Sequence, residues 1–381
     1  MVQLLQFGDI HLDGPLGGLS AELAARRRHE LRQSFSRCLK EAAARKVDAV
    51  LIPGDLYEHD GYAPDTAPFL CAQLEAIAPI PVFIAPGNHD FHSPRALYAE
   101  HRWPGNVRIA TLPRFEMFPV PEAPVAVHMF AHTSKENVDN LLAGYRVPED
   151  ERLHVLNFHG GLNEERFGSK RFCCPFSLDD LAGTGAHWAS VGHYHGAVDL
   201  AADGRLLGAY GGWMESHSFR HVGPQSVLFV TLEKEKPPVV ERFTSSSREY
   251  RILEVDAGGA DNLEALVERI VAATGVDRPE GPHAGQLVRI VVRGQVGPAV
   301  PVDQLRAEQL AHHCFHLEIE TDLLPNYDLD RLSQLPDTCG AFVRRMRSLV
   351  AEAPPEEQAA LREALYYGLD ALLSGEVRPR S

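Results

Sequence analysis

The chain has 381 residues, with 37 Lys and Arg against 52 Asp and Glu, a formal charge of −15. Its 44% hydrophobic and 23% charged composition excludes a disordered chain and suits two or more domains with cores of their own. The acidic balance excludes a protein that grips nucleic acid over a broad basic face of its own. The first residues, MVQLLQFGDIHLDG, lack a basic segment and meet Asp9 too early for a signal peptide. No apolar run reaches the ~18 residues of a membrane span, so a cytoplasmic protein without membrane attachment is expected. The six cysteines (38, 71, 173, 174, 314 and 339) follow no C-x-x-C spacing. Free buried thiols are therefore expected, the adjacent Cys173 and Cys174 included.

In the first half, apolar runs long enough for buried strands end abruptly in polar clusters. LLQF runs into Gly8-Asp9-Ile10-His11, and AVLIP (49–53) into Gly54-Asp55. VFIAP (82–86) runs into Gly87-Asn88-His89-Asp90, and HVLNF (154–158) into His159-Gly160-Gly161. WASV (188–191) runs into Gly192-His193-Tyr194-His195. Amphipathic helices separate the early runs. Residues 20–46 place Leu31, Phe35, Cys38, Leu39 and Ala42 on one face, and a shorter helix near 65–77 carries Leu70, Leu74 and Ile77. Strand–helix–strand alternation predicts a layered βαβ architecture. Ligands in such sheets bind just beyond the strand C-termini, so the five clusters are expected to converge on one site.

Residues 198–200 and 205–210 flank the turn dipeptide Asp203-Gly204, a hairpin signal. Strands at 226–232 and 239–244 read as the second half of a β-sandwich, and 245–247 as a linker. From 249 the chain reads β-α-β-α-β, with strands near 250–256, 287–293 and 315–320. A helix near 262–274 has Asp261 or Asn262 as its N-cap and Gly275 after it. Two amphipathic helices close the chain, one carrying Phe342, Met346, Leu349 and Val350, the other Leu361, Leu365, Leu369 and Leu372. The expected domains are 1–245, a small α/β capping-type domain at 249–325, and a helical segment at 326–381. Packing within its own domain or docking onto another chain would both suit that last segment.

Each cluster alone has a bland explanation: a turn, a core histidine, a strand with imidazoles on one face. All five in order at strand ends are hard to obtain by accident. Asp9, His11, Asp55, Asn88, His159, His193 and His195 give two carboxylates, four imidazoles and one amide. That set exceeds one ion and suits two divalent ions with Asp55 as the shared carboxylate. Mixed nitrogen and oxygen ligation points to Mn²⁺ first, with Fe²⁺, Zn²⁺ or Mg²⁺ as alternatives. Such a pair of ions suits in-line phosphoryl displacement by water.

The order D-x-H, G-D, G-N-H-D, H and G-H-x-H is similar to that of the calcineurin-like metallophosphoesterases. GDIHLDGPL, VDAVLIPGDLYE and FIAPGNHD resemble the DNA repair exonuclease branch of that superfamily, the SbcD and YhaO type. The resemblance implies a four-layer α-β-β-α sandwich over about residues 1–245. It implies one ion on Asp9, His11, Asp55 and His195, and another on Asp55, Asn88, His159 and His193. It gives His89 the role of transition-state stabiliser or acid to the leaving oxygen, with Glu58 to orient it. It also implies an SMC-like coiled-coil ATPase as partner; a homodimer is a further expectation. Where related sequences tend to carry a Tyr-Pro-Gly-like segment, this chain has Tyr210-Gly211-Gly212-Trp213, followed by Met214-Glu215-Ser216-His217. His217 is a candidate substrate contact, with a surface histidine as the plainer alternative. Arg166, Lys170 and Arg171, shortly after His159, are candidate phosphate contacts. Arg26, Arg27, Arg28 and Arg32 read as a solvated helix face.

The expected function is a metal-dependent phosphodiesterase acting on DNA, as exonuclease or endonuclease. The alternative is a phosphoesterase for a small substrate such as a cyclic nucleotide. A phosphoprotein phosphatase is disfavoured, since Leu56-Tyr57-Glu58 stands where such enzymes carry Arg-Gly after the aspartate. Residues 249–381 hold 22 acidic against 13 basic side chains. That third reads as a cap and docking surface, and the DNA as gripped by a second, more basic subunit.

Overall fold

The computed structural model describes residues 1–163 and 173–375. The chain divides into two compact units, one over Met1–Glu249 and one from Tyr250 onward. The strands of the first unit are Val2–Gln6 (β1), Ala49–Ile52 (β2), Val82–Ile84 (β3), Val107–Ile109 (β4), Glu116–Pro119 (β5) and Val125–Met129 (β6). They continue with Leu153–His159 (β7), Trp188–Gly192 (β8), Val198–Ala202 (β9), Arg205–Tyr210 (β10), Ser226–Leu232 (β11) and Val239–Thr244 (β12). Two six-stranded sheets result, in the orders β12-β11-β1-β2-β3-β4 and β5-β6-β7-β8-β10-β9. Their centres are parallel and their outer pairs, β1–β11, β11–β12, β5–β6 and β9–β10, antiparallel.

The two-residue period of a strand explains the layers. On β1, Leu4 points into the core between the sheets, with Leu51, Phe83, Val127, Val155 and Trp188. Leu5 points the other way, onto Leu31, Phe35 and Leu39 of helix α1 (Ala21–Arg45) and Leu70 and Leu74 of α2 (Thr66–Glu75). On β7, Val155 faces the other sheet, whereas Leu156 and Phe158 join an outer cluster with Leu181 of α4 (Leu178–Gly183); the short α3 is Leu97–Glu100. The unit is therefore an α-β-β-α sandwich. Two buried amides tie the sheets together. Gln6 donates to the Ala209 carbonyl (2.7 Å) and accepts from the Trp188 indole (2.9 Å), and Asn157 donates to the Phe83 carbonyl (3.0 Å).

Arg27 departs furthest from the solvated reading of α1, with Arg32 half-buried on Asp13 and Asp65. The Arg27 side chain is 2% exposed and pairs with Glu215 (2.7 Å) and Glu30 (2.6 Å). Glu215 also accepts from Ser34 and from the Ser247 amide, both at 2.6 Å. The network fastens the segment after Gly212 to the first helix.

A line of buried histidines crosses the second sheet. His154 donates from Nε2 to Asp150 (3.0 Å), accepts at Nδ1 from His128 Nε2 (2.9 Å), and Tyr145 donates to His128 Nδ1 (2.8 Å). Every ring proton in that line is spoken for with both imidazoles neutral. Burial, and then the neighbouring His154, push the His128 pKa down from 6.5 to about 4. Above pH 6.5 the folded and unfolded chains hold the same protons there. As pH falls from 6.5 to 4 the unfolded chain takes up a proton that the fold refuses, so stability declines. The expected loss is on the order of 2–3 kcal/mol by pH 4. Thermal unfolding followed between pH 7.5 and 4.5 checks it: His128→Gln is less stable at neutral pH but shows a flatter decline than wild type.

In the second unit Tyr250–Asp256 (β13), Leu287–Val296 (β14) and His316–Pro325 (β15) form a parallel three-stranded sheet. Helix α5 (Leu263–Thr274), capped by Asn262 and ended by left-handed Gly275, covers one face through Leu266 and Ile270. The second crossover is not the α-helix expected from the sequence. It is two short 3₁₀ turns, Val302–Gln304 and Ala307–Leu310, because Pro298 and Pro301 interrupt the segment. Beyond α6 (Leu329–Ser333), helices α7 (Thr338–Glu352) and α8 (Pro355–Ser374) share a small core of Cys339, Val343, Leu365 and Leu369. Gly368 permits their approach, since a Cβ there would lie 2.1 Å from the Phe342 ring. Among the described residues no helix is long and apolar enough to cross a membrane.

Candidate metal centre

The five strand ends do converge. Asp9 and His11 follow β1, Asp55 follows β2, Asn88 and His89 follow β3, His159 ends β7, and His193 and His195 follow β8. Asp9, His11 and Asp55 have φ near +50° and His193 has φ +120°. Left-handed backbone at non-glycine residues costs of order 1 kcal/mol or more apiece, and here it gathers where chemistry-bearing side chains meet. Gly87 leaves room for this meeting: a Cβ there would stand 2.3 Å from Asp55 Oδ1. Asp90 is buried and holds the turns in place, accepting from the amides of Gly87 (2.6 Å), Leu56 (2.7 Å) and Asp55 (3.1 Å) and from the Tyr98 hydroxyl (2.5 Å). Burial and then the charge of Asp55 raise its pKa to about 6.

Asp9, His11 and His195 bring ligand atoms within 4.8 Å of one another, as do Asp9, Asp55 and His159, and His159, Cys173 and His193. These groups overlap at Asp9 and at His159, the shape of two adjoining cation sites. Three observations test whether cations fit. First, His159 donates from Nδ1 to the Pro53 carbonyl (3.0 Å), which leaves Nε2 bare. That bare nitrogen faces Asn88 Oδ1 at 2.9 Å and Asp55 Oδ2 at 3.3 Å, an acceptor among acceptors. Second, His11 directs Nδ1 to Glu58 (2.6 Å), and its Nε2 is buried without a hydrogen-bond partner, 3.5 Å from Asp55 Oδ2. Third, burial and then the like charge of Asp55 push the Asp9 carboxyl well above the carboxylate range. A cation between these groups removes all three conflicts. Burial holds His193 and His195 down to about 3, so both present neutral lone pairs.

Glu58 does more than its expected part. One oxygen accepts from His11 and the other from His89 Nδ1 (3.0 Å), so a single carboxylate orients two imidazoles. Burial raises its pKa, but the two histidine hydrogen bonds outweigh that and hold the carboxyl far below its ordinary value. The hydrogen bond to Glu58 raises His89, against burial. The His89 side chain is 37% exposed, and its amide donates to Asp55 Oδ1 (2.9 Å). His89 thus stands at the rim of the centre with Nε2 free to meet a substrate.

Trp213 was not singled out by the sequence. Its ring lies 4.0 Å from that of His195 and 5.1 Å from that of His11, and it stacks on His217 at 4.1 Å and 27°. His217 is half-buried: its Nε2 is sealed from solvent, and burial drives its pKa well down. It meets the centre through the indole and, edge-on, the His11 ring 6.3 Å away. Arg166, Lys170 and Arg171 lie outside the described residues.

A sequence profile of calcineurin-like phosphoesterases matches residues 2–197, which contain all seven candidate ligands. The uncharacterized metallophosphoesterase YhaO of Bacillus subtilis (strain 168) is 27% identical over 298 residues, spanning 75% of this chain and 70% of that protein. The DNA double-strand break repair protein Mre11 of Aeropyrum pernix is 26% identical over 296 residues, spanning 71% and 67%.

Proposed function

This chain belongs to the calcineurin-like phosphoesterases, and from that premise we propose that it is a metal-dependent phosphodiesterase that cuts DNA. The observation that carries the metal chemistry is the meeting of bare His159 Nε2, unpartnered His11 Nε2 and the two buried carboxylates Asp9 and Asp55. Asp9, His11, Asp55 and His195 would hold one divalent ion, and Asp55, Asn88, His159 and His193 the other. Mn²⁺ suits the mixed carboxylate and imidazole set around Asp9. Bound together, the ions supply an activated water and neutralise charge on the phosphoryl group.

The chain's own residues do the rest. Asp55 would serve both ions and, by accepting the His89 amide, holds the loop that carries the acid. His89, whose pKa the hydrogen bond to Glu58 raises, would offer its Nε2 proton to the leaving oxygen or to a phosphoryl oxygen. Glu58 keeps that ring aimed. Trp213 packs its indole against the His195 ring and so holds that candidate ligand in place.

DNA is favoured over a small substrate by the repair function in the name of the archaeal relative. The acidic excess of residues 249–381 supports a docking role for that part, with an SMC-like ATPase subunit supplying the basic surface for DNA; a homodimer is a further proposal. Incubation with Mn²⁺ and end-labelled duplex DNA, beside bis-p-nitrophenyl phosphate and cyclic AMP, tests the substrate. DNA shortened by wild type is the expected result. Cleavage of the small diesters with DNA left intact, with or without such a subunit, would overturn it.

A further inference from the structure

We propose that Cys173 is a ligand of the ion held by His159 and His193, so that the two halves of the centre prefer different metals. This rests on the dinuclear reading above and adds a thiolate that the motif order does not contain.

The backbone brings Cys173 to the site from outside the five strand ends. The Gly161 amide, two residues beyond His159, donates to the Cys173 carbonyl (2.7 Å), and the Cys174 amide donates to the Asn137 carbonyl (2.7 Å). Residue 173 therefore lies beside the end of β7, pinned from both sides by the Asn137–Cys173 bridge and the Gly161 contact. Its side chain is buried, and its sulfur lies within 4.8 Å of a ring nitrogen of both His159 and His193. Donors bound to one ion at about 2.0–2.3 Å stand roughly 3–4.5 Å from each other, so the three atoms are spaced for a common ion.

Among the described residues nothing else claims the sulfur strongly. Its polar neighbour is the His132 ring, at 3.6 Å from Nε2 and 3.7 Å from Nδ1. His132 Nε2 already donates to the His159 carbonyl (2.8 Å). His132 thus buttresses the ligand strand and leaves the thiol a long, weak contact. The adjacent Cys174 turns away into the outer hydrophobic cluster with Phe158 and Phe176. The pair therefore divides into one packing thiol and one thiol at the centre.

Coordination by Cys173 forms a metal–sulfur bond and releases the thiol proton to solvent. Two imidazoles and a thiolate suit Zn²⁺ or Fe²⁺ better than Mn²⁺. The half around Asp9, His11 and His195 offers oxygen and nitrogen only. A mixed centre follows, with the thiophilic ion at His159 and His193.

Titration of the metal-free protein with Co²⁺ reads both claims separately. Visible Co²⁺ bands saturating at two ions per chain report the dinuclear centre, and a near-ultraviolet thiolate-to-cobalt charge-transfer band reports Cys173. The expected result is that this band appears in wild type and in Cys174→Ser, and is lost in Cys173→Ser and Cys173→Ala. Zn²⁺ is then bound about tenfold or more weakly by the Cys173 variants. Circular dichroism confirms that the variants are folded. Two Co²⁺ ions bound without the charge-transfer band would overturn the thiolate and leave the dinuclear reading intact. A folded wild type that binds no Co²⁺ would overturn both.

Discussion

Asp55→Asn lowers phosphodiester hydrolysis on the order of 10⁴-fold, and Asp55→Ala does no better. Asp55 is the residue on which the site's contacts cross. Its Oδ2 lies 3.5 Å from His11 Nε2 and 3.3 Å from His159 Nε2, one candidate ligand of each site. Its Oδ1 receives the His89 amide, and its carbonyl receives the amides of Ile10 and His11. An asparagine keeps one oxygen for the amide but gives up the charge and the second oxygen. The loss is thus in bridging, not in folding. Stability should move the opposite way from activity. In the metal-free chain the like charge of Asp55 is one of the causes that raise Asp9, so Asp55→Asn relieves a buried repulsion. Its metal-free form unfolds at a temperature no lower than that of wild type. A general structural role for Asp55 would instead lower both quantities. Steady-state kinetics and thermal unfolding of the same preparations separate the two.

His89→Ala is the second large effect, and it differs in kind. His89 presents a half-exposed ring at the rim and meets Glu58 through Nδ1. Removing a positioned acid typically costs 10²–10⁴-fold, so a fall of roughly 10³-fold in turnover is expected. Metal content stays at the wild-type level, because no ligand is lost. The deficit shrinks for a diester with a good leaving group, such as bis-p-nitrophenyl phosphate, if the proton goes to the leaving oxygen. It persists for that substrate if His89 instead stabilises charge on the phosphoryl group. Unchanged turnover on DNA would remove His89 from the mechanism.

Much of this arrangement was legible in the sequence because strand ends are abrupt. A buried strand must stop when its residues turn polar, and runs such as VFIAP meeting Gly-Asn-His-Asp mark both the strand and its site. The helix from 21 to 45 was legible from its apolar spacing. Its Arg27 was not: in a run of three arginines it reads as solvent-facing. Yet it lies four residues before Leu31 and eleven before Cys38 on the buried face, and its partner Glu215 is 188 residues away. Strands β4 and β5 are three and four residues long with half-exposed patterns, too short for a period to show. β6 carries continuous burial that is helix-like and strand-like at once.

Within the site, the sequence offered candidate ligands and Glu58 as the partner of His89, but not the second contact of Glu58 or the other supporters. Glu58 stands three residues after Asp55, yet its hold on His11 spans 47 positions. Trp213 and His217 belong to a segment without a ligand motif, and only the fold sets Trp213 against His195 and stacks His217 on the indole. The same holds for Cys173, whose neighbours in the chain give no sign that a bridge to Asn137 turns it toward His159. Contacts of this kind depend on the register of distant strands, which no local pattern encodes.

The central claim is that two ions share this pocket through Asp55. Inductively coupled plasma mass spectrometry on wild type and Asp55→Asn, after loading with metal and removal of excess, tests it most directly. Two ions per chain in wild type, falling to one or none in Asp55→Asn, is the predicted result. A single ion in wild type, or two retained without Asp55, would contradict it.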